Sequence, residues 1–284
     1  YNVTLKANAV IDNCGNANDE TDLGDFFAAD FISEEHWYVG RDDPEDIVAI
    51  LYNNKVIKNS DTSIDGIDKD TLPLNKYTLI FYGSGAMKDY SVNRGEQSPW
   101  LEDGFQRLIS NAIIGEGITT IGTVAFNNME NLTSVKFSEG LTTIREDAFS
   151  YANLESVILP STVKTIEMNA FYYNPNLEVV LLNEGLESVG QTAFIGHGIK
   201  ELTIPSTVKE IKGRSFAQAI EKMTLSKLEF APNSVLQMVN EQAFANHQVR
   251  ELSIPRSVKV IGNKSFSVPS YAQSTLESLD FGTN

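Results

Sequence analysis

The side chains of this sequence that could do chemistry are three histidines, one cysteine and a scatter of acidic residues. A zinc site needs several ligands that each approach to roughly 2 Å of the metal. A hydrolytic site needs a nucleophile within reach of a base. His36 lies in EEHW, His197 in GHG and His247 in ANHQ, and no motif gathers them. Cys14 stands alone, so it makes no intramolecular disulfide and no cysteine-rich metal site. The stretch DTSIDGIDKDTL at 61–72 puts Asp61, Ser63, Asp65 and Gly66 where the first half of a calcium loop would have them. Its twelfth position is Leu72, where a bidentate acid is wanted, so the stretch is a weak calcium candidate or an acidic surface turn. GSGAM at 83–87 lacks the spacing and the lysine of a phosphate loop and reads as a turn. These residues assign no catalytic group, no cofactor and no firm metal site.

The chain that must position them has 284 residues and a net charge of −16, unevenly spread. Residues 1–105 carry 20 acidic and 8 basic side chains, residues 106–198 carry 10 and 4, and residues 199–284 carry 8 and 10. An acidic chain lacks the basic footprint that nucleic acid requires. No apolar run approaches the roughly 18 residues of a membrane span. The sequence opens at Tyr1 without a methionine, which suggests that a targeting segment has been removed.

Stepping along the chain, seven phenylalanines keep time: Phe126, Phe149, Phe171, Phe194, Phe216, Phe244 and Phe266. Their spacings are 23, 22, 23, 22, 28 and 22 residues, and the long interval places an insertion near Ser226–Leu236. Each unit reads as a short strand, a turn and a closing Ala-Phe or Ser-Phe, as in LTSVKFSEGLTTIREDAF at 132–149. The turn has a Glu-Gly form at 116–117, 139–140 and 184–185 and a proline form at 160, 205 and 255. A unit this short cannot bury its apolar side alone, so stacked units bury one another, with a phenylalanine spine opposite a parallel sheet. The expected fold is a right-handed leucine-rich repeat solenoid, mostly β and irregular, with a small α+β region in front. With a rise of roughly 4.7–4.9 Å per strand, His197 and His247 should sit about 10 Å apart in exposed loops.

The pattern in LESVILPSTVKTIEMNAF and KELTIPSTVKEIKGRSF resembles the BspA-type leucine-rich repeat of bacterial and some protist surface proteins, without the asparagine column of the better-known eukaryotic repeats. YTLIFYGSGAMKDYSVNRGEQSPW at 77–100 is similar to the segment that often precedes such repeats. The resemblance implies a cell-surface or secreted protein, adhesin-like, whose partner is an extracellular or host protein or a glycan.

This reading divides the chain into an acidic α+β region at 1–76, a pre-repeat segment at 77–107 and about seven repeats plus a final strand at 108–284. Within the first part, NVTLKANAV suggests a strand and Leu23–Ile32 has near-helical spacing. DDPEDIVAILYNN suggests a helix capped by Asp43 with Pro44 at its first position, its second half being compatible with a strand. Capping the first repeat is reason enough for such a region; presenting a ligand site of its own is the alternative. Leu276, Leu279 and Phe281 should supply the final strand that closes the sheet. Outward-facing residues fall into two lanes, from which Ile113, Lys136, Ile158, Val179, Leu181, Glu201 and Thr203 form the expected binding patch. Its apolar members mark a partner site, follow β-propensity, or lie under the N-terminal region. The function classes left open are a non-enzymatic binding protein, a spacer that presents the N-terminal region, and an enzyme with an unrecognised site in residues 1–105.

Overall fold

The computed structural model describes residues 33–59, 72–91, 95–218, 224–268 and 276–282. The 1–32 readings, the calcium candidate Asp61, Ser63 and Asp65, and Cys14 lie outside them. The repeats form a β-solenoid of about seven turns with parallel strands and little helix. Each turn starts with a strand on one face, six residues long in the first turn and three to four in the others, such as Ser156–Ile158 paired with Val179–Leu181. Alternation buries one residue in two, so Val157 and Leu159 go inward with Val163, Ile166 and Phe171, all at 0–1 % exposure. Nine residues after the first strand begins, Thr165–Ile166 adds a rung to a second parallel ladder. That ladder has eight rungs, from Gly85–Ala86 to Val260–Ile261. The sequence suggested one strand per turn in a single parallel sheet; in the structure each turn supplies two strands, to two ladders.

The spine is a continuous stack. Consecutive rings from Phe126 to Phe266 lie 4.8–5.5 Å apart with planes within 11° of parallel. Identical turns repeated by translation leave rings no room to tilt. The first rung comes from the pre-repeat segment, where Trp100 stacks on Phe126 at 5.5 Å and donates its indole N–H to the Ala125 carbonyl at 3.1 Å. Around the spine alternate backbone N–H groups reach the following turn: Asp147, Phe149 and Tyr151 donate to Met168, Ala170 and Tyr172. The residue two before the phenylalanine adopts positive φ in every turn, and the residue two after it in most, as at Asp147 (53°), Tyr151 (55°), Asn169 (55°) and Tyr173 (55°).

The insertion is divided. Glu201 pairs with Lys227, 26 residues on, and Glu210 with Met238, 28 residues on, against 22 for Ser188 with Glu210. Four extra residues therefore precede the strand Lys227–Phe230 and two follow it, a shift from the expected 226–236.

In front of the repeats, β1 (Ser33–Tyr38), β2 (Ile47–Asn53), β3 (Tyr77–Gly83), the first-ladder strand Ile109–Ile114 and then Ser134–Phe137 form one five-stranded sheet. The capped start at Asp43 is a single 3-10 turn, Pro44–Asp46, with the Asp43 carboxylate accepting the Glu45 N–H at 3.0 Å. The strand alternative then takes over, because IVAILY is a near-continuous apolar run buried on both faces. At the other end Ser278–Asp280 pairs with Glu251–Ser253. Its inward residue Leu279 is 48 % exposed and Phe281 61 %, so the strand joins the sheet without covering its end.

Candidate binding face

The first-ladder strands carry the outward lanes in register. Ile158 faces Leu181, Ser156 faces Val179, Glu201 faces Lys227, and Thr203 faces Glu229. Ile158, Val179 and Leu181 are 55 %, 48 % and 51 % exposed, and at strand spacing they form one apolar cluster. Lys136 borders the cluster half-buried, while Glu201 and Thr203 border it exposed. Ile113 does not join them. It is 7 % exposed, in a second core with Val48, Ile50, Tyr52, Ile57, Leu72 and Ile80. Because β2 and β3 extend the same sheet, the helix α1 (Asn54–Asn59) and Leu72 cover its outer face as far as Ile113 and stop there.

The face continues into a groove of about 930 Å³ lined by Thr203, Lys227, Glu229, Glu251, Arg256 and Asp280 among others. The turn Ala231-Pro232-Asn233, which holds the two extra residues, is one wall. Lys227 and Glu229 pair at 3.1 Å, and that hydrogen bond holds the ammonium pKa above its ordinary value. The sequence signals for the groove are the 28-residue interval and the charged second half of the two outward lanes, which carry Thr203, Lys227, Glu229, Glu251 and Asp280.

The histidines correct the sequence reading. His197 and His247 are 1 % and 4 % exposed, with ring centroids 5.3 Å apart and nearly parallel. Both sit three residues after a spine phenylalanine, and both lean onto the turn between them: each Nε2 donates to the Phe216 carbonyl, at 3.2 and 2.5 Å. Each Nδ1 accepts a backbone N–H, from Ile199 at 3.0 Å and from Leu225 at 3.4 Å. This arrangement requires the neutral Nε2–H tautomer of both rings. Burial pushes His197 down to about 3, with the charge of His247 adding to it, and burial pushes His247 down to about 4. Neither ring has a lone pair free for a metal. Asn174 occupies the same position in another turn, accepting the Leu154 N–H and donating to the Phe149 and Phe171 carbonyls at 2.9–3.1 Å. Among the described residues no three His, Cys, Asp or Glu side chains gather as metal ligands.

The two turn forms prove to be complementary. The Glu139 carboxylate accepts from the Ser161 N–H and hydroxyl at 3.2 and 3.0 Å, and Glu184 does the same with Ser206 at 2.9 and 2.8 Å. The Ser161 and Ser206 backbone N–H groups are the main reason both carboxyls sit below their ordinary pKa. Thr162 accepts the Gly140 N–H and donates to the Leu141 carbonyl, at 3.0 and 2.8 Å. Gly140 and Gly185 have φ of 99° and 111°, which other residues rarely adopt. Two of the three Glu-Gly turns, at 139–140 and 184–185, are thus locked by the Pro-Ser-Thr turn after them. The third proline turn follows the inserted turn instead, and its Ser257 hydroxyl is buried without a partner.

Residues 105–222 and 200–281 match the model of the BspA type leucine rich repeat region, in 6 copies. The chain belongs to this family. Among solved structures, a leucine-rich repeat protein from Eubacterium ventriosum matches this BspA-type chain at 20 % identity and a TM-score of 0.54, over 86 % of this chain and 61 % of that one. The pneumococcal vaccine antigen PcpA matches at 19 % identity and a TM-score of 0.43, over 88 % and 48 % respectively. A leucine-rich repeat protein from Bacteroides ovatus matches at 19 % and 0.46, over 79 % and 66 %. The chain thus spans about half to two thirds of the length of these relatives. A search of curated proteins returns no match. No helix of the described residues is long and apolar enough to cross a membrane.

Proposed function

We propose that this is a non-enzymatic, adhesin-like protein of the cell surface or of the secreted fraction, and that its sheet face binds another protein. Family membership supports the class and the location, since BspA-type repeats are typically surface or secreted and not catalytic. The carrying observation is the exposed cluster Ile158, Val179 and Leu181 beside the charged groove. An apolar centre with a polar, charged border is the usual anatomy of a protein interface. The extent fits as well, because the lanes run along successive turns, whereas small ligands occupy one pocket. Residues 33–59, joined to the first repeats by a five-stranded sheet, act in this reading as a cap rather than as a separate module.

The test uses the intact chain against a panel of purified matrix and plasma proteins by biolayer interferometry. The Ile158→Asp/Leu181→Asp variant should lose at least tenfold in affinity for any partner found, while its melting temperature stays put. Binding that survives the substitution places the site elsewhere.

A further inference from the structure

Behind the sheet face, on the spine side, two consecutive turns carry three tyrosines whose exposure the fold does not explain. Tyr151 and Tyr173 occupy the same position, two residues after Phe149 and Phe171, and are 45 % and 48 % exposed. Tyr172 is half-buried between them. The three ring centroids are 5.3–6.3 Å apart, with planes tilted by 33–65°. Burial, with the Tyr172 hydroxyl adding to it, raises the Tyr151 pKa. The Asp147 carboxylate raises the Tyr151 pKa a little further from the start of the same turn, and Asn169 holds the equivalent place in the next turn.

The backbone at this position argues that the rings are not there for stability. Tyr151 and Tyr173 have φ of 55°, a left-handed conformation that suits glycine and asparagine and disfavours bulky side chains. Equivalent positions in other turns hold Asn128 (59°), Gly196 (79°) and Asn246 (66°). Among the turns with positive φ at this position only these two carry a side chain other than asparagine or glycine, and both are tyrosine, although bulky residues such as Val124, Thr192 and Arg214 adopt the same conformation two residues before the phenylalanine. Strain of this kind concentrates at functional positions.

We propose that Tyr151, Tyr172 and Tyr173, with Asp147 and Asn169 at their edge, bind a neutral saccharide. Ring faces offer an apolar platform to the C–H face of a pyranose, while the hydroxyls, carboxylate and amide hydrogen-bond its hydroxyls. Gly196 keeps the next turn low: a Cβ there would meet the Tyr173 ring at 2.8 Å, so the cluster ends in an open step. The two most exposed rings offer roughly 200 Å² at about half the area of a tyrosine each. That is far below the ~800 Å² per partner of a protein interface and suits one or two sugar rings. With a net charge of −16, a neutral sugar is favoured over a sialylated or sulfated one.

The experiment is saturation-transfer NMR on the intact chain with maltose, lactose, cellobiose and N,N′-diacetylchitobiose, followed by titration calorimetry of any that respond. At least one should bind saturably at millimolar concentration. Tyr151→Asn/Tyr173→Asn should abolish that binding and leave the melting temperature equal or higher, since asparagine suits the backbone there. Ile158→Asp/Leu181→Asp should leave sugar binding unchanged, so this site and the sheet-face reading fail separately. No response from the whole panel overturns the proposal. So does binding that persists in the tyrosine variant, or a fall in its melting temperature, which would make the rings structural.

Discussion

Acidification should loosen the solenoid at one place, between the turns of His197 and His247. Both imidazoles are neutral in the folded protein, held by the Phe216 carbonyl on one side and by the Ile199 and Leu225 N–H groups on the other. Their folded pKa values of about 3 and about 4 lie below the ordinary 6.5. An unfolded chain therefore binds more protons than the native one once pH falls below 6.5, and stability falls with it. The stabilisation is complete above pH 6.5 and is lost progressively down to the folded values. At pH 5 each unfolded histidine is about 1.5 units below its pKa while the native rings stay neutral, a loss of about 2 kcal/mol each and roughly 4 kcal/mol together. Most carboxylates are still ionised at pH 5, so the window isolates the histidines. Because a solenoid can open turn by turn, hydrogen exchange is the sharpest assay. Amides of Ile199 and Leu225 should lose protection between pH 7.5 and 5.0, after correction for the intrinsic rate, by about a thousandfold if both rings protonate in the opened state. Replacing both histidines by glutamine should flatten that dependence even if the variant is less stable throughout. Ring signals that titrate near pH 6.5 in the folded protein, or an unchanged pH slope in the double variant, would refute the reasoning.

Phe171→Ala removes a ring stacked on both sides, at 5.3 and 4.9 Å, and should cost roughly 3–5 kcal/mol by urea denaturation. Asn174→Ala leaves the Leu154 N–H and the Phe171 carbonyl without partners and takes one of two donors from the Phe149 carbonyl; it should cost about 3 kcal/mol in the same assay, with no change in a distant turn's exchange rates. Thr162→Val keeps the shape but breaks two of the four bonds that lock one turn to the one before; a loss of about 1–2 kcal/mol is expected, and Ser257→Ala, with no bond to lose, should be near neutral.

The repeat period and the inward columns were legible because they rest on side-chain type: Leu159, Val163, Ile166 and Phe171 are buried as their spacing requires. What sequence reading missed depends on backbone geometry. His197 and His247 sit in polar stretches, GHG and ANHQ, that resemble exposed loops. Their burial follows from the three-residue step past the phenylalanine, which carries Met129 and Asn174 inward in other turns as well. The positive-φ positions could not be read because non-glycine residues such as Val124 and Thr192 fill several of them. Ile113 looked like Ile158 in the alignment, and only the strands ahead of the repeats, which extend the same sheet, distinguish their surroundings.

The two proposed surfaces can be separated by what folding asks of each. On the sheet face, alternation leaves the outward positions almost unconstrained, and a change there typically shifts stability by no more than about 0.5 kcal/mol. Ile158, Thr203 and Ser253 are therefore nearly interchangeable as far as the fold is concerned, and the grouping of Ile158, Val179 and Leu181 on paired strands is not something packing required. At Tyr151 and Tyr173 the fold does express a preference, for glycine or asparagine, and the residues present oppose it. The first surface combines freedom with an apolar choice, and the second combines strain with an aromatic one. Substitution on the first should alter binding at constant stability, whereas replacing the tyrosines by asparagine should exchange binding for stability. A purely structural origin predicts the opposite sign at the tyrosines, so one pair of melting curves on the asparagine variant and its parent decides between them.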